Sequence, residues 1–261
     1  MTTKPQVGVI LMTYGSPATL DDIPEYIKRV YGGREVSPEV ITEFRRRYAL
    51  IGGSPLIQIT HEQAAALAEE LNAQHPQGPV FHAVAGMRFS PPFIADAAMD
   101  AAAGAHELVG VIMSPQYSPI IMSGYIKHSM PKRVIEREPD YINHLKETAA
   151  AVAELVGLPR ERWMFCYQSA GHTPEEWLKP DFADVMPELR AAGHTDVLIA
   201  PVQFLADHLE ILYDIEIGAR EQAEQHGIHF ARIESLNTSP LFIKALAEVV
   251  KETMTSPVHA A

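Results

Sequence analysis

The chain has 261 residues, 47% hydrophobic and 21% charged, the make-up of a globular protein long enough for one large domain or two smaller lobes. A net charge of −12 argues against nucleic acid as a partner, although a local basic patch can still hold a small anion. The lone cysteine, Cys166, excludes an internal disulfide and any zinc or iron–sulfur site built from cysteines alone, and it indicates a reducing compartment.

Met1–Pro5 lacks an apolar signal core, and no stretch approaches the length of a membrane span, so a cytoplasmic location is expected. Val7–Met12 is a short apolar run that reads as a buried parallel strand. Thr13-Tyr-Gly-Ser-Pro17 breaks it into a loop. Thr19 with Asp22 resembles a capping box opening a helix to about Val30. Tyr31-Gly-Gly-Arg34 is a basic turn. Ser37 and Pro38 then suit the N-cap and first position of a helix through about Leu50, which carries Arg45, Arg46 and Arg47.

Gly52-Gly-Ser-Pro-Leu56 reads as a loop, and Thr60 with Gln63 as a capping box for an Ala-rich helix to about Gln74. His61-Glu62 is not a zinc-protease motif, because Ala65 stands where the second histidine is required. Val80–Gly86 is a second strand, followed by a helix to about Ala103 and a third strand, Leu108–Met113. The order is β-α-α-α-β-α-β, with loops at the strand ends where open α/β sheets bind ligands.

The region 120–137 has no regular pattern. Beyond it, Glu138 to about Gly157 reads as a helix and Trp163–Tyr167 as a strand, with Trp177-Leu178 as a buried anchor. Asp181 can cap a helix to about Ala192, Asp196–Ala200 and Ile228–Ile233 read as strands, and Leu241–Met254 as an amphipathic closing helix. The stretch after Ala200 is the most suggestive. Asp207, Glu210 and Asp214 are spaced to share one helical face, Glu216 is close by, and His208 adds an imidazole. Such a row suits a hard cation or protons. The same residues also read as an acidic, capped helix start with no further role. Spacing favours Asp214 over Glu216 on Glu210's face unless the helix carries a π-bulge.

Several pieces occur together in one order: Tyr14-Gly-Ser-Pro17, Gly52-Gly-Ser-Pro-Leu56, Ser114-Pro-Gln-Tyr-Ser118, His128-Ser-Met-Pro131, Tyr167-Gln-Ser-Ala-Gly171, Trp177-Leu178, the Pro201–Asp214 block and Asn237. In that order, over nearly the whole chain, they resemble the ferrochelatases, and among those the soluble coproporphyrin III type of Gram-positive-type bacteria. The resemblance implies an α/β, chelatase-like fold: two Rossmann-type lobes with parallel sheets and a porphyrin cleft between them. The lobes would be residues 1–119 and a shortened 120–240, with 241–261 as closing helix and tail. The implied reaction is that of a lyase in haem biosynthesis, inserting Fe²⁺ into coproporphyrin III to give coproheme and releasing two protons. Iron is then a substrate, with no organic cofactor and no iron–sulfur cluster. The expected partners are coproporphyrin III or coproheme and Fe²⁺, acting on a monomer with no nucleic acid and no integral membrane association.

The resemblance also assigns roles. His128 and Glu210 would be catalytic, facing each other across the cleft. His128, Glu210, Asp214 and Tyr14 would be the metal-facing set. Tyr14, Arg29, Arg34, Arg47, Ser54, Gln58, Tyr117 and Ser118 would line the porphyrin and its propionates, with Arg45 and Arg46 as solvated surface. One departure stands out. The family has a few dozen residues between the Pro-Gln-Tyr-Ser loop and the His-Ser-x-Pro motif, and here only Pro119–Lys127 intervenes. This reads as an internal deletion, and it raises a rival expectation: a porphyrin- or haem-binding protein that has lost metal insertion. A chelatase for another tetrapyrrole, such as a cobalt-inserting enzyme, is disfavoured by Tyr14 and the Asp207–Asp214 block.

Overall fold

The computed structural model describes residues 4–115, 139–168 and 178–255. In chain order they form β1 (Gln6–Thr13), α1 (Ile23–Val30), α2 (Pro38–Leu50), α3 (Leu56–Gln74), β2 (Val80–Met87), α4 (Ile94–Ala102) and β3 (Glu107–Ile112). There follow α5 (Pro139–Leu155), α6 (Phe182–Ala191), β4 (Asp196–Ile199), a π helix (Glu210–Ala219), α7 (Arg220–Gln225), β5 (His229–Arg232) and α8 (Pro240–Thr255). The chain divides into two compact units. The first comprises Met1–Met113, Ala206–Leu209 and Leu236–Ala261, and the second Ser114–Leu205 and Glu210–Ser235. Both are mixed α/β with parallel strands.

In the first unit β1 is the central strand, with β2 on one side and β3 on the other, so that Val9 lies beside Ala83 and Val109. A strand covered on both faces must be apolar throughout, which is why Val7–Met12 reads as an unbroken run. Val7, Val9 and Leu11 face a core completed by Leu67 and Leu71 of α3 and by Ile243, Leu246 and Val250 of α8. Ile10 faces the other way, onto Ala97 and Ala101 of α4. Helix α8 thus returns to the first unit and finishes its core.

Two local expectations need correcting here. Helix α3 begins at Leu56, so Thr60 and Gln63 are interior rather than caps: the Thr60 hydroxyl donates to the Leu56 carbonyl, and Gln63 is buried and reaches out of the helix altogether. Trp163–Tyr167 forms no strand; it makes one parallel bridge, Tyr167 to Asp181. Its alternation is still used. Phe165 and Tyr167 pack on Tyr141, Ile142 and Leu145 of α5, while Cys166 packs in the core beneath the π helix. Burial, and then the charge of Asp181, push the Cys166 thiol up to about 11, so it stays protonated at neutral pH.

In the second unit β4 and β5 pair in parallel, with Asp196 opposite His229. Phe182 and Met186 of α6 pack against Ile211, Ile215 and Ala219 of the π helix and Ala223 of α7. An Asp181–Asp184 capping box opens α6, as the sequence suggests.

Gly8 is required by close packing. A Cβ there would collide with the backbone carbonyl of Ala101, where the end of α4 lies on β1. Gly8→Ala is expected to push α4 off the sheet and destabilise the fold by about 1–3 kcal/mol, read as a lower urea midpoint at unchanged slope.

On α2 a single carboxylate, Glu43, accepts from both Arg46 and Arg47 at 2.8 Å. Hydrogen bonds from Arg46 and then Arg47 hold the Glu43 carboxyl down to about 2, against an ordinary 4.5. A lowered folded-state pKa stabilises fully above the unfolded value and progressively less as pH falls. Between about pH 4.5 and 2 the wild type should therefore lose stability that Glu43→Gln lacks throughout, so the two stability curves converge as the solution is acidified.

Candidate active site

The loop after β1 is built to hold Tyr14 at the end of the central strand. Gly15 adopts φ 88°, the left-handed region, where a Cβ would also strike the Ser90 hydroxyl. The Ser16 N–H donates to Ser90 Oγ at 3.2 Å, and the Tyr26 hydroxyl donates to the Gly15 carbonyl at 3.0 Å. The Phe89 N–H donates to the Tyr14 carbonyl at 3.1 Å, and the two rings meet at 4.6 Å. The loops after β1 and β2 are thereby stitched together, with the half-buried phenol of Tyr14 against Phe89.

Arg29 reaches the same place from α1. Its guanidinium donates to the Phe89 carbonyl at 3.4 Å, pairs with Glu25 at 3.1 Å and stacks on the Phe93 ring. Arg88, at the end of β2, lies over the Phe89 ring at 5.0 Å. Sequence reading selected arginines on helices and turns and missed Arg88, although a cation directly after a strand end, at Met87-Arg88-Phe89, was a usable signal.

Each of the other four first-unit candidates has a partner nearby in its own segment. Arg34 donates from Nε to the Tyr31 carbonyl at 3.1 Å. Arg47 is held by Glu43, and with 18% of its side chain exposed it is the least solvated of the three consecutive arginines. Ser54 Oγ accepts from the Leu56 N–H at 3.4 Å, at the start of α3. Gln58 is exposed and donates to Glu62 at 2.9 Å. Arg45 and Arg46 pair with Asp21 and Glu43.

The acidic stretch differs from its α-helical reading. All of Glu210–Ala219 is π helix, ten residues with i→i+5 hydrogen bonding. Such a helix has roughly four residues per turn, so residues four apart stack in rows. Ile211, Ile215, Ala219 and Ala223 form the buried row. Glu210 and Asp214 form the row beside it, which ends at the side-chain-free Gly218. Asp207 is not part of this face, since it precedes the helix and lies in the first unit. Glu216 is also elsewhere: its carboxylate is gripped by Arg220 and by Arg232, the latter at 3.1 Å. Burial pushes its pKa up, but the hydrogen bonds from Arg220 and Arg232 outweigh that and keep it below the ordinary value.

Glu210 is only 5% exposed. Asp214 is half-buried and accepts from Gln168 Nε2 at 2.9 Å, which fixes one carboxylate oxygen. His208 Nδ1 lies 3.0 Å from the Ala206 carbonyl, which can only accept, so that nitrogen donates. His128, Tyr117 and Ser118 lie outside the described residues. Among the described residues no three His, Cys, Asp or Glu side chains gather as a metal-binding group. What they do provide is a stacked pair of carboxylates on a π helix and a tyrosine flanked by arginines at a strand end.

The family model described as Ferrochelatase matches residues 6–127 and 120–254. A "Ferrochelatase" of Deinococcus radiodurans is 31% identical over 309 aligned positions, covering 96% of this chain and 97% of that protein. A "Coproporphyrin III ferrochelatase" of Geobacillus kaustophilus is 32% identical, covering 95% of this chain and 96% of its own length. Another of that name, from Halalkalibacterium halodurans, is 29% identical over 97% of this chain and 98% of its own. With the family's model matched along nearly its whole length, and relatives above 30% identity covered almost end to end, the chain belongs to the ferrochelatase family.

Proposed function

We propose that this chain is a coproporphyrin III ferrochelatase, a lyase that inserts Fe²⁺ to form coproheme and releases two protons. The observation that carries the reading is the row of Glu210 and Asp214 on a π helix, in a chain of this family. Insertion requires the metal to shed water and two pyrrole nitrogens to lose their protons. Carboxylates are hard donors for a divalent cation and acceptors for protons, and their interactions strengthen in a buried setting. Glu210 is the buried member and Asp214 the half-buried one, so the row grades from a dry end toward a wetter one. Cations or protons can then pass along it without a single deep trap.

His128 would accept a pyrrole proton or ligate iron in passage, tasks suited to a neutral imidazole. Tyr14 would ligate the iron of coproheme once that iron has been oxidised to the ferric state by an external oxidant such as dioxygen, because a phenolate is a hard oxygen donor suited to ferric iron. The four propionates call for cations and hydroxyls along the rim. Arg29 and Arg88 are the best supported of these, being gathered at Phe89 beside Tyr14. Arg34, Arg47, Ser54 and Gln58, with Tyr117 and Ser118, complete the proposed set. For Arg47 a propionate would have to compete with Glu43. No helix among the described residues is long and apolar enough to cross a membrane.

A second reading, porphyrin or haem binding without insertion, has its own support. The alignment with the Deinococcus protein runs over 309 positions, more than the 261 residues of this chain, so gaps fall in this chain. The family match also breaks into two pieces that overlap at 120–127, just before His128. Both are consistent with an internal deletion next to the proposed catalytic histidine.

Anaerobic incubation with Fe²⁺ and coproporphyrin III separates the readings. The free-base bands and fluorescence should disappear at a rate proportional to enzyme, with two protons released per macrocycle. Saturable porphyrin binding with no such conversion selects the second reading. His128→Ala and Glu210→Gln should each slow insertion by about 10²-fold or more while leaving porphyrin binding intact. Tyr14→Phe should leave the insertion rate within a few-fold and change the visible spectrum of bound ferric coproheme. An unchanged spectrum removes Tyr14 as a ligand.

A further inference from the structure

Glu210 is the first residue of the π helix, and the segment that launches it is held in an unusual way. Asn237 adopts φ 43°, the one described residue other than glycine in the left-handed region. Asparagine tolerates that conformation better than most residues, but it still costs something and calls for a reason. Its side-chain amide makes two bonds to one residue: Oδ1 accepts from the Asp207 N–H at 2.9 Å, and Nδ2 donates to Asp207 Oδ2 at 3.0 Å. Its own carbonyl accepts from Nε2 of Gln63 at 2.8 Å. Gln63 is 1% exposed, inside α3, and it is the residue whose capping role fails.

Three segments distant in sequence therefore meet at Asn237: the middle of α3, the loop after β5 and the approach to the π helix. All three residues lie in the first unit. Asp207 and Asn237 are each within three residues of a point where the chain passes to or from the second unit, at Leu209/Glu210 and at Ser235/Leu236. None of the three has a role in the chemistry set out above.

We propose that Gln63, Asn237 and Asp207 form a clasp that positions Glu210: Asn237 fixes backbone and side chain of Asp207, and Gln63 fixes Asn237. The role in catalysis rests on the ferrochelatase reading; the clasp itself does not. A loosened clasp lets the first turn of the π helix wander, and small misplacements of a reacting group cost large factors in rate. In this proposal Asp207 acts through the hydrogen bonds that tie it to Asn237.

Asn237→Gly is the informative variant, because glycine keeps the left-handed backbone and removes only the side chain. In the full-length protein it should raise amide exchange across 207–214 at least tenfold while β1 and β2 exchange as in the wild type. It should lower kcat for iron insertion about tenfold or more, with KM for coproporphyrin III within twofold. Asp207→Ala should reproduce the loss, Asp207→Asn should restore kcat to within about threefold, and Asn237→Gly with Asp207→Ala should be no slower than either alone. Unchanged local exchange in Asn237→Gly overturns the clasp, as does a wild-type kcat. If Asp207→Asn is as slow as Asp207→Ala, the charge matters and positioning is refuted. Should Asn237→Gly fold poorly, Gln63→Met, which loses the donor but keeps the volume, should raise exchange in the same window, and exchange unchanged there is equally fatal. A wild type that inserts no iron refutes the functional reading instead, and the exchange data then decide the clasp alone.

Discussion

Apolar side chains that recur every four residues, rather than every 3.6, set the geometry of this protein's acidic helix. In an α-helix Ile211, Ile215, Ala219 and Ala223 would drift around the axis by about 40° at each step. In the π helix Ile211, Ile215 and Ala219 lie on one buried side, continued by Ala223 of α7, and that side is what packs against Phe182 and Met186. Once that side faces the core, the neighbouring row is determined. Glu210 and Asp214 must stack, Gly218 must follow them, and Glu216 must point away. Hydrophobic burial on one side of the helix thus dictates the spacing of carboxylates on the next.

Holding that arrangement is expensive. A π helix is rarely sustained beyond one turn, and taking a carboxylate out of water costs on the order of several kcal/mol. Glu210 is buried all the same. The surrounding contacts explain how the structure tolerates it. The apolar stripe anchors one side, Arg220 and Arg232 grip Glu216 near the far end, Gln168 holds Asp214, and the segment before Glu210 is tied to Asn237. Each of these restrains the helix from outside its own hydrogen-bond ladder. A helix restrained from several directions can keep a geometry that its own backbone would not choose.

Much of this was legible in the residues and some was not. The unbroken apolar run Val7–Met12 announces a central parallel strand, and Ser37-Pro38 stands at the start of α2, with Pro38 as its first residue, although the Ser37 side chain makes no capping hydrogen bond. The family was legible from motifs strung along the whole chain. Asp214 shares a face with Glu210 in either kind of helix, so that pairing was legible from spacing, whereas π geometry over ten residues and the place of Asp207 outside it were not. Thr60 and Gln63 misled for a related reason. A capping box is a local pattern, and Gln63 answers instead to Asn237, 174 residues away. Arg34, Arg47, Ser54 and Gln58 suit an anionic ligand by residue type, but type says nothing about the neighbours that already satisfy them.

The order in which the chain builds its two units bears on what a shortened connection before His128 would change. The first unit draws its core from β1, α3, β2, β3 and the returning α8, and its Tyr14 loop is fixed by Ser90, Tyr26 and Phe89. None of those residues lies between Pro119 and Lys127. The π helix takes its packing from α6, α7 and β5, again outside that interval. Among the described residues, the Tyr14 loop and the row bearing Glu210 therefore each take packing from elements outside that interval. On the proposed reading the imidazole of His128 is the group that a shortened connection would touch first, which makes turnover, and not binding, the sensitive measure of whether the family's chemistry is kept.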